Sequence, residues 1–333
     1  MFLVTGATGL LGSHVVRLLR RAKQDVRALV RPGSEYYWLN DSGCSYFFGD
    51  LRDPKSLRRA LKGCRYVIHA AGIRIETSDN HHSVVTLKGT QDLIEAAEAR
   101  GVERFVMVSA VGVDRGFPNP WFDCLRQAEE HLAQGGLDWT ILRCSLFSED
   151  LADAAERLAS GDPWRVWGGK GSRVSPLARK DVAIYAMAVL DDEPGRTLEL
   201  GGPETMSLET AVERACLAAG ADPDEVTWLS GPAGVVAKLA RVAGRRWENW
   251  IRRQQLLQGE DLAVDGSALS AELGIPLTDF DTALAARLAE DKLGLTPEDR
   301  NERVIHRQFQ ATVYRPGEVS YDSLPDGPLR EVD

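Results

Sequence analysis

Short runs of aliphatic and β-branched residues alternate along the first half of the chain with longer segments whose apolar positions recur every three to four residues. In order they are FLVT, SHVVRLLRRA, DVRALVR, SLRRAL, YVIHAAG, GTQDLIEAAEAR, RFVMVSA, LRQAEEHLAQ and WTILRC. Strand-period and helix-period segments in this alternation predict an α/β architecture, a doubly wound parallel sheet with helices on both faces. After Ser148 the pattern loosens into LADAAERLAS, KDVAIYAMAVL and SLETAVERACLAAG, separated by Gly-rich loops such as GDPWRVWGGKGSR and LELGGPE. This predicts a smaller C-terminal lobe that shares its core with the first domain. From residue 295 onward the chain is polar and punctuated by Pro and Gly, an extended C-terminal arm in which Ile305, Phe309, Val313, Tyr314 and Tyr321 are apolar anchors. A loose chain end is the other reading of that arm. The expected division is 1–147, 148–294 and 295–333. No fixed-period repeat is present, which removes solenoids and propellers.

Composition narrows the function classes. The 333 residues carry 40 Lys and Arg against 49 Asp and Glu, a formal charge of −9, which argues against a nucleic-acid partner. Cys44, Cys64, Cys124, Cys144 and Cys216 are scattered, with no CxxC pair, so reduced and mostly buried thiols are expected and no metal site. The chain opens directly on a strand-like run without the charged and apolar regions of a signal peptide, and no apolar stretch reaches the ~20 residues of a membrane span. The expected compartment is the cytoplasm, or the cytoplasmic face of a membrane.

Thr5 to Gly12 reads TGATGLLG, placing Gly6, Gly9 and Gly12 at GxxGxxG spacing between a strand and a helix. Glycines there permit a tight turn and close backbone approach, so that a helix N-terminus faces a pyrophosphate; the strand–loop–helix context favours a dinucleotide site of the Rossmann type over an ordinary turn. The second strand ends at Arg31, followed by Pro32-Gly33-Ser34, where an NAD site more often carries an acid for the ribose hydroxyls. A guanidinium suits a 2′-phosphate, with Ser34 as an extra donor, so NADP(H) is favoured over NAD(H). The alternative is that Arg31 is a surface charge.

The segments TGATGLLGSHVVRLL, VRALVR, GDLRDPKSLRRALKGCRYVIHAAG, GTQDLIEAAEARGVERFVMVSAVGV and EEHLAQGGLDWTILRCSLF together resemble an atypical short-chain dehydrogenase/reductase. The resemblance is closest to the NmrA-like branch, which includes the complex I nucleotide-binding accessory subunit, divinyl-chlorophyllide-reductase-like proteins and photosystem assembly factors. It runs from Phe2 to about Ala289. It implies a pyrophosphate on the loop Gly6, Thr8, Gly9, Leu10, Leu11 and Gly12, with Arg31 at the adenosine ribose. It further implies Asp50 and Leu51 at the adenine, Ala70, Ala71 and Gly72 beneath the ribose, and Ser109 and the turn Cys144 to Phe147 toward the nicotinamide. For Asp50 a turn cap in GDLRDP is the plainer reading of the residue itself.

Catalytic members of the wider family carry a Tyr-x-x-x-Lys pair in which lysine lowers the tyrosine pKa. Aligning Glu129-Glu130-His131-Leu132 with the end of that helix puts Trp121 at the tyrosine position and Leu125 at the lysine position, and neither can handle a proton. Phe117 to Leu132 contains no tyrosine and no lysine, so a shifted alignment does not restore the pair. Ala110 stands where the helper hydroxyl is expected, and Thr86 near the place of the family's asparagine. Arg126 stays charged and donates protons poorly. His81-His82 reads as a solvated loop rather than a metal pair, His69 as a packed strand-end residue, Asp181 as a helix cap and Cys144 as an inert buried thiol.

Residues 235–253, VVAKLARVAGRRWENWIRR, hold Lys238, Arg241, Arg245, Arg246, Arg252 and Arg253 against a single acid, Glu248, with Trp247, Trp250 and Ile251 among them. A basic amphipathic helix of this kind fits an anionic membrane surface or an acidic partner; a core helix with a solvated charged face is the bland alternative. The leading expectation is therefore an NADP(H)-binding member without the Tyr-x-x-x-Lys pair, acting as a structural, assembly or sensor subunit of a larger, membrane-associated complex with protein partners. The alternative is an active NADPH-dependent reductase with a non-standard proton donor, whose catalytic residues the sequence does not identify. Trp121, Phe122, Phe147, Trp164 and Trp167 would line its pocket or belong to the core.

Overall fold

The computed structural model describes residues 1–36, 39, 42–73, 76–77, 80–116, 119–167, 169–229 and 261–289. The basic segment 235–253 and the arm 295–333 lie outside the described residues.

The elements run β1 (Phe2–Thr5), α1 (Leu10–Arg21), β2 (Val26–Val30), β3 (Ser45–Phe48), α2 (Pro54–Ala60), β4 (Tyr66–His69), a π-helical turn (Ser83–Lys88) leading into α3 (Gly89–Ala99), β5 (Arg104–Ala110), α4 (Pro120–Gln134) and β6 (Trp139–Cys144). Then follow α5 (Ser148–Ala159), β7 (Arg165–Trp167), β8 (Arg173–Val174), α6 (Arg179–Ala188), β9 (Arg196–Leu200), β10 (Met206–Ser207), α7 (Leu208–Ala219), β11 (Thr227–Leu229), α8 (Gly266–Leu273) and α9 (Phe280–Ala289). Seven strands form one sheet in the order β3-β2-β1-β4-β5-β6-β9, every neighbouring pair parallel. This is the doubly wound Rossmann-type arrangement. The order reverses between β1 and β4, which opens a crevice at the carboxyl ends of those strands.

Both faces of the sheet are covered, which is why the strands read as near-continuous apolar runs rather than alternating ones. On one face Val15, Val16 and Leu19 of α1 pack with Val182, Ala183, Tyr185 and Ala186 of α6 over Val4, Val30 and Leu142. On the other, Leu57 of α2, Leu93 and Ile94 of α3, and Leu125 and Leu132 of α4 pack over Leu3, Val67, Phe105 and Ile141. A third cluster joins α5, α7 and α9 through Leu151, Leu158, Leu208, Val212, Phe280 and Leu284.

Helix starts follow local chemistry. Asp53 and Asn119 each precede a proline and accept backbone N–H bonds at the starts of α2 and α4, and Ser207 caps α7 through the N–H of Thr210. Residues after 148 complete the sheet: β9 is its seventh strand, and α6 covers the same face as α1. Arg104 fastens the halves together, its buried guanidinium donating to Thr140 Oγ1 at 2.8 Å and to the Val189 carbonyl at 2.7 Å. All five cysteines are free, and four of them are buried.

Candidate nucleotide-binding site

The crevice is built first by the turn between β1 and α1. Gly6 has φ +68°, and a Cβ there would lie 2.5 Å from the Ala70 carbonyl oxygen at the end of β4. A Cβ on Gly12 would lie 2.1 Å from the Gly6 carbonyl oxygen, so the helix can approach the turn this closely only with glycine at that position. Gly9 starts α1 in extended conformation, donating its N–H to the Gly6 carbonyl at 2.8 Å, and no side chain caps the helix. The first N–H groups of α1 are left without a side-chain cap, and the positive end of a helix dipole favours a pyrophosphate. Thr8 is half-buried beside them.

At the neighbouring strand ends, Arg31 is exposed and forms no ion pair among the described residues. Ser34 donates its N–H to the Arg31 carbonyl at 3.0 Å, and Gly33 takes φ +79° in the same turn, which brings Ser34 back beside Arg31. Asp50 is buried at the end of β3. Its carboxylate accepts the Arg52 backbone N–H at 2.9 Å and both edges of the Arg52 guanidinium, at 3.0 and 2.6 Å. Burial would raise its pKa, but these bonds outweigh it and hold the carboxyl below its ordinary range. The turn-capping reading of Asp50 therefore describes what its side chain does within the protein. Leu51 is buried against the start of α3, where a Cβ on Gly89 would collide with it.

Ala70, Ala71 and Gly72 follow β4 with at most partial burial, and a Cβ at Gly72 would meet nothing within 4 Å. Ser109, near the end of β5, is buried, and its hydroxyl has no hydrogen-bond partner among the described residues. A buried hydroxyl left without a protein partner has its hydrogen bond to give to a ligand or an ordered water. The residues present thus fit a dinucleotide.

Cys144 turns its thiol into the core, where burial pushes the pKa up to about 12; it is an inert thiol. Phe147 starts α5, bridges to Leu177 and carries the Arg179 guanidinium 5.6 Å over its ring. Two residues after Phe147 stands Glu149, which nothing in the sequence marks out. This residue is buried, Oε1 accepts the Arg179 backbone N–H at 2.9 Å, and Oε2 has no partner among the described residues. Burial, opposed by the Arg179 guanidinium, pushes its pKa up to about 7. A Ser-Glu pair opening a helix gives the ordinary signature of a capped first turn, which is why sequence did not single it out.

On α4, Arg143 of β6 grips the buried Glu129 carboxylate with bonds of 2.8 to 3.3 Å, which fixes the register of the helix on the sheet. In that register Leu125 belongs to the apolar core and Trp121 packs on its edge, stacked on Phe122 with ring centroids 5.3 Å apart. His69 is fully enclosed, with one ring nitrogen 2.7 Å from Thr5 Oγ1 and the other 2.9 Å from Thr90 Oγ1; burial lowers its pKa to about 4. It is the packed strand-end residue that the sequence suggests. His81 keeps the solvated-loop reading, with its side chain 38% exposed, whereas His82 is half-buried and enters the π-helical turn packed against α4. Among the described residues no cluster suits a metal ion, and no helix is long and apolar enough to cross a membrane.

Known proteins place this geometry. Residues 6–193 match the family described as NAD(P)H-binding. The chain belongs to the NAD(P)H-binding family. Within it, an NAD(P)H azoreductase from Xenophilus azovorans is 29% identical over 223 residues, covering 66% of this chain and 74% of that protein. A photosystem II assembly factor from Cyanophora paradoxa is 36% identical over 204 residues, covering 60% of this chain and 63% of that factor, a little under two thirds of its length. The NADPH complex of a quinone oxidoreductase from Escherichia coli shares the fold at a TM-score of 0.67 and 23% identity, over 86% of this chain and 99% of that one. The relatives thus include both reductases and assembly factors.

Proposed function

We propose that this NAD(P)H-binding protein holds NADP(H) as a structural, assembly or sensor subunit of a larger complex and does not run the Tyr-x-x-x-Lys chemistry of its wider family. The observation that carries this reading is the register of α4. Glu129 is paired with Arg143, Leu125 lies in the core and Trp121 on its edge, and the resemblance aligns these two positions with the lysine and the tyrosine of the wider family. Gly6, Gly9, Gly12 and the open start of α1 would hold the pyrophosphate, Arg31 and Ser34 a 2′-phosphate, and Ser109 the nicotinamide end. A bound nicotinamide supplies two-electron hydride chemistry. With no hydride transferred, binding of the dinucleotide through the same contacts stabilises the folded state by mass action, about 2.7 kcal/mol at a hundredfold excess over Kd. The similarity to assembly factors supports a protein partner. We assign attachment, to that partner and to an anionic cytoplasmic membrane face, to residues 235–253 and 295–333.

A second reading, an NADPH-dependent reductase, is favoured by the unpartnered Ser109 hydroxyl and by the azoreductase relative. Native purification without added nucleotide, followed by mass spectrometry of the intact assembly and of the small molecule released on denaturation, separates the two. Retained NADP(H) in a stoichiometric complex is the expected result. A free protein that exchanges NADPH readily and reduces an added acceptor refutes the structural role.

A further inference from the structure

A reductase without the family's tyrosine needs another proton donor, and the histidines of this chain are not equivalent. Five of the six lie among the described residues. His69 spends both ring nitrogens on threonine hydroxyls. His131 faces Glu95 on the outer surface, and His81 faces Glu76 at 3.8 Å. His14, on α1, is pushed down to about 4 by burial, with Arg17, Arg179, Lys180 and Arg21 adding to it.

His82 differs in four ways. Its ring lies against Trp121, the residue at the tyrosine position, with centroids 6.5 Å apart. Nδ1 lies 3.4 Å from Thr86 Oγ1, one turn on along the same face, while the His82 backbone N–H donates to Glu76 Oε1 at 2.9 Å, so both ring and backbone are held. Nε2 has no hydrogen-bond partner among the described residues. The segment it caps is π-helical, a rare turn frequent at functional sites.

We propose that His82 is the catalytic acid of this site, donating from Nε2 the proton that the family's tyrosine would donate, to the oxygen of a carbonyl or quinone acceptor. The proposal rests on the reductase reading. The acceptor gains a hydride at carbon, or at the distal oxygen of a quinone, from a reduced nicotinamide, which is thereby oxidised by two electrons. It gains a proton at oxygen from the imidazolium, which becomes neutral imidazole and is reprotonated by water at its half-exposed edge. Thr86 and Trp121 act as positioning residues. The titratable neighbours are Glu76 and His81 from the approach loop. From α4, Cys124 is pushed up to about 11 by burial with Glu76 and Asp123 adding, and so stays neutral. Burial lowers the His82 pKa and His81 adds to this, against the Glu76 carboxylate, so the protonated form is lost below the ordinary histidine value of about 6.5.

The test uses the full chain, NADPH, and 1,4-benzoquinone and 9,10-phenanthrenequinone as probe acceptors, with H82Q and T86V as variants. Three quantities are read: NADPH binding by fluorescence, turnover from pH 5 to 8, and diethylpyrocarbonate labelling of His82 by mass spectrometry with and without NADPH. The expected turnover falls tenfold per pH unit above a midpoint below about 6.5. H82Q loses about 10²-fold or more at pH 6 and flattens the profile, with NADPH affinity unchanged. T86V loses less and keeps the profile, and NADPH shields His82 from the label. Undiminished labelling under saturating NADPH overturns the proposal. Turnover that H82Q leaves intact overturns it alone, whereas wild-type protein that binds NADPH and reduces neither quinone overturns the reductase reading and the proposal with it.

Discussion

Replacing Glu149 with glutamine tests how the protein carries a buried acid in the first turn of α5. In the folded protein the Glu149 pKa rises from 4.5 to about 7, chiefly through burial against the partial relief given by Arg179. A raised carboxylate pKa means that the folded state binds more protons than the unfolded one between these values. Stability is therefore fully present below pH 4.5 and falls as pH rises toward 7. Glutamine stays neutral, and its amide oxygen still accepts the Arg179 backbone N–H that Oε1 accepts at 2.9 Å. Any fixed cost of the amide group cancels when one variant is compared with itself across pH. Between pH 5 and pH 8 the wild-type protein should lose about 2.5 kcal/mol that Glu149→Gln retains, or about 3.5 °C of relative melting temperature at this size. Thermal unfolding of both proteins at pH 5, 6, 7 and 8 reads the difference. A melting-temperature difference that stays level across that range refutes the assignment of a raised pKa to Glu149.

Gly12→Ala should abolish NADP(H) binding in fluorescence titration and lower stability by about 1 to 3 kcal/mol, because its Cβ would meet the Gly6 carbonyl oxygen at 2.1 Å. Retained affinity would show that α1 can back away from the turn without cost to the site. Arg31→Asp should weaken NADP binding at least tenfold more than NAD binding, as a guanidinium–phosphate contact is replaced by repulsion. Equal losses measured by calorimetry for both dinucleotides would remove Arg31 from the ribose.

The sheet was legible because strands buried on both faces must be apolar throughout, and the helices between them show one apolar stripe. Gly6, Gly9 and Gly12 were legible because the close approaches they permit leave a spacing that other residues cannot copy. Arg31 and Asp50 could be located at strand ends but not given their partners: Asp50 is held by Arg52, a contact between neighbours that any exposed pair could equally have made with water. His82 and Glu149 were missed for a different reason. What sets them apart is a packing partner distant in sequence, Trp121 for one and the start of α6 for the other. A pair such as His81-His82 carries no local mark of which ring will be pressed against a helix.

Closing the sheet with β9 has a consequence for synthesis. When residues 1–147 have left the ribosome, β6 stands as an unpaired edge, and the α1 face lacks the cover of Val182, Ala183, Tyr185 and Ala186. That intermediate exposes a strand of Trp139, Ile141 and Leu142 together with a free thiol at Cys144, the kind of edge that invites pairing with another nascent chain. Some fifty residues separate β6 from its final neighbour. The nascent chain therefore carries this open edge until β9 emerges, and expression is expected to respond more to translation rate in that interval than anywhere earlier in the chain.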